Sequence, residues 1–120
     1  MVEEAERMHR RFFGLSARST PEPVWEPPAN VVATDGEILI DIALPGAELG
    51  SIGIEVLAGA IQVEVRVPPP RFAPRASIVR LEIPYGIMRR RISLPGGRYR
   101  LSERRIGNGC LHLRLTESQR

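Results

Sequence analysis

The chain contains no lysine, a single cysteine, two histidines and few aromatic residues, 5% in all. Each shortage closes off a class of chemistry. Without lysine, and without a glycine-rich loop opening a helix, no P-loop can cradle a nucleotide phosphate. Cys110 alone cannot staple a fold, and with only His9 and His112 beside it there is no zinc or haem spacing. The expectation is a reducing, cytoplasmic setting with no metal and no cofactor. The longest apolar runs fall far short of the roughly 20 residues that cross a bilayer. The opening Met1-Val2-Glu3-Glu4 is acidic rather than basic, so neither a signal peptide nor a membrane span is expected. Gly50-Ser51-Ile52-Gly53 looks like a nucleophile elbow, but it lacks one spacer before the serine and any strand-turn-helix context. With no other clustered imidazoles, thiols or carboxylates, the chain reads as a non-enzyme.

What remains is a chain of 120 residues, the size of one domain with one two-layer core. Hydrophobic residues make up 42%, which is ordinary for a globular protein, and eleven prolines and eleven glycines favour an all-β fold. All 17 basic residues are arginine, and the formal charge is +3. Arg89-Arg90-Arg91 invites a nucleic-acid reading. On a strand, however, Arg90 points opposite to its neighbours, which splits the patch, and no aromatics stand nearby to stack bases. No nucleic-acid or membrane partner is expected.

Residues 1–23 differ from the rest. Val2, Ala5, Met8, Phe12 and Leu15 recur at helical spacing between charged residues, which reads either as a short amphipathic helix or as a frayed tail. A helix this short is marginal alone, so Phe12, Phe13 and Leu15 need a partner surface to become ordered. A proline-rich linker then leads through Val24 and Trp25 into the domain, residues 24–116, with a short tail at 117–120.

From Asn30 onward period-two alternation dominates. A short strand ends at Asp35-Gly36, a hairpin pair, and the next one turns Ile38, Ile40, Ile42 and Leu44 inward. Further strands fall at residues 52–57, 60–66, 87–94, 101–106 and 110–115, with Asn108-Gly109 turning the last hairpin. There Leu111, Leu113 and Leu115 face the core, and Cys110, His112 and Arg114 face solvent. Seven or eight short strands with turn signals about every ten residues argue an immunoglobulin-like β-sandwich.

Residues 67–85 break the rhythm. Pro68, Pro69, Pro70 and Pro74 cannot donate ladder hydrogen bonds, so this segment is expected to stand out as a stiff arm. Beyond them Ser77, Ile78, Val79, Arg80, Leu81 and Glu82 regain strand propensity. A strand on such an arm is poorly placed to pair with its own sheet, and the edge of a second subunit would supply its missing partners. Arg90 shares a face with Met88, Ile92 and Leu94. A guanidinium sent to an apolar side needs a carboxylate, inside the sandwich or across an interface, unless a twist turns it to solvent.

These landmarks, in order, resemble the alpha-crystallin domain of the small heat-shock protein family. The residues that carry it are Trp25-Glu26-Pro27, Ala43-Leu44-Pro45-Gly46 followed by Ile52-Gly53-Ile54-Glu55-Val56, then Tyr85 through Pro95, and Asn108-Gly109-Cys110-Leu111-His112-Leu113. The resemblance implies a bacterial-type dimer that swaps a strand on the arm, with Arg90 at the place of the family's interface arginine. It also implies an assembly and client groove between Ile52, Ile54 and Val56 on one side and Leu101 and Ile106 on the other. The implied activity is ATP-independent holding of unfolding client proteins, with Phe12, Phe13 and Leu15 as amino-terminal contacts. No pair of branched aliphatics follows Leu115, so dimers or small assemblies are expected rather than large cages. The alternative is a CS-domain-like co-chaperone adaptor, a related sandwich without a long swapping loop.

Overall fold

The computed structural model describes residues 22–118, so the amino-terminal helix expectation, with Phe12, Phe13 and Leu15, lies outside the described residues. Eight strands follow one another: β1 (Val24–Trp25), β2 (Ala29–Thr34), β3 (Glu37–Ala43), β4 (Gly53–Leu57), β5 (Ala60–Val67), β6 (Gly86–Ser93), β7 (Tyr99–Gly107) and β8 (Cys110–Glu117). They form two four-stranded sheets, ordered β1-β6-β5-β4 and β2-β3-β8-β7. All neighbours are antiparallel except β1, which runs parallel to β6.

The alternation in the sequence fixes which side of each sheet is apolar. Ile38, Ile40 and Ile42 from β3 pair in register with Leu115, Leu113 and Leu111 from β8, and all six are buried. Ile61, Val63 and Val65 of β5, with Met88 and Ile92 of β6, form the facing wall. Burial of these aliphatics, at about 25 cal/mol per Å², is the main favourable contribution to the fold. The hairpin at Asn108-Gly109 has φ of 53° and 74°, the left-handed pair that a two-residue type I′ turn demands.

At Gly86 only glycine fits. Its φ is +104°, and a Cβ there would stand 2.6 Å from the carbonyl oxygen of Pro23. That close approach lets β1 lie against β6, and the Ile87 N–H donates to Pro23 O at 2.9 Å. The Trp25 indole then donates to Tyr85 O at 2.9 Å and packs half-buried on the core.

Candidate functional site

Each sheet ends in two edge strands, and the candidate surfaces are built on these edges and on the arm between β5 and β6. On one side, β4 and β7 belong to opposite sheets and approach each other across the gap. Ile54 and Val56 share the inward face of β4, since they pair with Val63 and Ile61. Ile52, just before β4, is 6% exposed and belongs to the core.

Across the gap, β7 does something that period two does not foresee. Leu101 and Ile106 are five residues apart, an odd separation that strict alternation would send to opposite faces. A bulge between Leu101 and Glu103 absorbs the extra residue, so Leu101 pairs with Leu115, Arg104 with Leu113 and Ile106 with Leu111, all on the inner face. Ser102, the bulged residue, donates its hydroxyl to Arg114 O at 3.1 Å and accepts from the Thr116 hydroxyl at 2.8 Å. Ile54, Val56, Leu101 and Ile106 are all half-buried and packed against the core where β4 and β7 meet. Arg104, exposed on the same face, sits between Leu101 and Ile106 along the strand. It was not anticipated, and the odd spacing was the only signal for it.

On the other side, β2 pairs with β3 alone and leaves its outer edge free. Its apolar residues are open to solvent, with Val31 46% and Val32 54% exposed. The arm runs out along its prolines and reverses at Pro74-Arg75, where Ala76 N–H donates to Ala73 O at 3.1 Å and Arg75 has φ of 66°. Pro at the first central position with a positive φ at the second is the type II arrangement. Within one chain Ser77, Ile78, Val79, Arg80, Leu81 and Glu82 form no strand, contrary to their propensity, because no sheet edge of the same molecule reaches them. Ile78 and Leu81 are half-buried, Val79 and Ile83 stand 77% exposed, and Arg80 meets Glu82 at 3.5 Å. The returning limb and the proline limb flank an open hollow of about 390 Å³.

Arg90 faces inward opposite Val63, as the alternation requires. Of the two places expected to supply a carboxylate, the sandwich interior or an interface, the interior supplies none among the described residues. Instead Nη1 donates a long hydrogen bond, 3.4 Å, to Pro27 O, while Nε is buried without a partner. Arg89, outward, meets Glu64 at 2.5 Å directly across the ladder. Both of those side chains are nearly half exposed, so the pair contributes about 0–1 kcal/mol. His112 also departs from the simple reading of a solvent-facing strand residue. It is half-buried, with Nδ1 2.5 Å from Asp41 Oδ1 and Nε2 3.1 Å from Gly107 O, so it links three strands, β3, β7 and β8. Among the described residues no group of three His, Cys, Asp or Glu could hold a metal ion, and no helix is long and apolar enough to cross a membrane.

This arrangement of strands is shared with solved small heat-shock proteins. Heat shock protein 16.0 from Schizosaccharomyces pombe superposes with a TM-score of 0.67 at 21% identity, over 79% of this chain and 92% of that one. A small heat-shock protein from Xylella fastidiosa, described as having a distinct high order structure, gives 0.66 at 17% identity over 80% and 89%. The hspA protein of Xanthomonas axonopodis gives 0.62 at 20% identity over 78% and 94%. No family model matches the chain, and no curated protein sequence does. The likeness is therefore one of fold: an all-β sandwich of two four-stranded sheets, as in the alpha-crystallin domain.

Proposed function

We propose that this protein is an ATP-independent chaperone, a holdase that binds unfolding client proteins through exposed apolar surface and lowers the concentration free to aggregate. No bond is made or broken in this reading, and no cofactor takes part. The observation that carries it is the sandwich shared with small heat-shock proteins, combined with apolar residues left open at the edges and on the arm. The seam of Ile54, Val56, Leu101 and Ile106, with Ile52 at its base, is the proposed client and assembly surface, together with Phe12, Phe13 and Leu15. The working unit is a homodimer. Residues 77–82 of each arm add as a strand to the free β2 edge of the partner, satisfying backbone groups on both. The buried, unpartnered Nε of Arg90 supports an interface role for that residue, since a second copy could bring an acceptor to it.

The test is light scattering of a heat-labile protein, with and without this chain and without ATP. Suppression that rises with the chaperone-to-client ratio is expected, and undiminished aggregation at molar excess would remove the reading. Sizing in the same buffer separates it from the adaptor alternative, because a stable monomer that leaves aggregation untouched would favour a CS-domain-like module.

A further inference from the structure

An apolar recess lies at the root of the arm, apart from the seam between β4 and β7. It is a cavity of about 240 Å³ bounded by Trp25 of β1, Pro27 of the β1–β2 connection, Leu44 after β3, Met88 of β6, and Val67 and Ile83 at the two ends of the arm. Leu44 and Met88 form a buried floor, and Ile83 forms an exposed rim. An apolar cavity of roughly 150 Å³ is enough to take up a benzene ring, so this recess has the volume for a phenyl side chain.

We infer that this cavity is the docking site of the chain's own Phe12-Phe13 pair. Two observations select that occupant. The first is where the described chain begins: Glu22 lies three residues before Trp25, and Phe13 lies nine residues before Glu22. Nine residues span up to about 30 Å when extended, so the pair can reach the recess beside which the segment enters the fold. The second is charge. Glu26, which also lines the cavity, is exposed and makes no ion pair among the described residues, and Arg10-Arg11 immediately precede the two phenylalanines. An aromatic ring set in the recess places a guanidinium near that carboxylate. If the protein is a holdase, the consequence is regulatory: Phe12 and Phe13 are withdrawn from clients while docked. The docking itself stands apart from that reading.

Trp25 is the only tryptophan and borders the cavity, so it reports occupancy directly. The full chain is compared with Phe12→Ala/Phe13→Ala and with Ile83→Arg, which alters an exposed rim residue and leaves the buried floor alone. Both variants are expected to shift Trp25 emission to longer wavelength. Trypsin cleavage after Arg10 and Arg11 is expected to quicken about fivefold or more, as it does when a docked segment is released. Unchanged emission and cleavage in the double alanine variant overturn the inference. So does a wild-type emission that shifts on dilution and ignores the loss of both phenylalanines, which assigns the cavity to a second copy. Aggregation suppression is read separately by scattering, so loss of chaperone activity and loss of docking are distinguishable.

Discussion

Strand β5 and the arm that follows it are continuous in the chain and both carry branched aliphatics, yet they end in opposite environments. Ile61, Val63 and Val65 are at most 3% exposed, whereas Val79 and Ile83 are both 77% exposed. The difference does not lie in hydrophobicity. Strand β5 has a ladder on each side, from β4 and from β6, so its backbone is satisfied and its alternate side chains are held against the other sheet. The arm begins with three prolines that cannot donate to a ladder, and its later residues meet no sheet edge of their own molecule. Apolar residues stay at the surface where the backbone has nowhere to pair, and such a surface is available to another chain.

If that contrast is right, truncation should be costly in β5 and nearly silent in the arm. Ile61→Ala removes a side chain that is 0% exposed, and the cavity it leaves should lower stability by about 2–5 kcal/mol in urea or thermal melts. A loss below about 1 kcal/mol would mean that the sandwich collapses around the gap and that β5 is no more demanding than the arm. The joint between the two regions should fall in between. Gly86→Ala combines a positive φ with a Cβ 2.6 Å from the Pro23 carbonyl, so strain of about 1–3 kcal/mol is expected. Because the clash is with the chain just ahead of β1, the same variant should expose Trp25, visible as increased acrylamide quenching. A full loss of stability with unaltered quenching would place the strain elsewhere.

The parts of the fold that rest on strict period two were legible from the residues. In β3, β5 and β8 every second side chain is apolar, both faces of the ladder agree, and the turns at Asp35-Gly36 and Asn108-Gly109 fix the register. Legibility ended where one residue more or less changes the answer. The bulge at Ser102 inverts the parity of β7 midway, so the pattern names Leu101 and Ile106 as apolar but does not reveal that they share a face, or that Arg104 joins them there. Arg90 shows a different limit. Alternation correctly turned it inward, but its contact is the backbone carbonyl of Pro27, and main-chain oxygens carry no signature in side-chain pattern. His112 is similar, since the carbonyl of Gly107 reaches it only because the hairpin closes as it does. The parallel pairing of β1 to β6 was also hidden, because a two-residue strand is too short to show a period.

The mildest substitution tests the arm most directly. Val79→Asp changes a side chain that is 77% exposed and packs in no core, so the melting behaviour of the isolated fold should stay within about 0.5 kcal/mol of the parent. The same change puts a carboxylate in the middle of the strand proposed to join the β2 edge of a partner, beside the open Val31 and Val32. Desolvating that charge against an apolar face is unfavourable by far more than the fold itself would register. Sizing should then show the dimer dissociating at concentrations where the parent remains associated, with the sandwich intact by circular dichroism. An unaltered dimer in the Val79→Asp variant would mean that the arm's exposed valine faces solvent in the assembly as well, and the contrast with β5 would describe a loop rather than an interface.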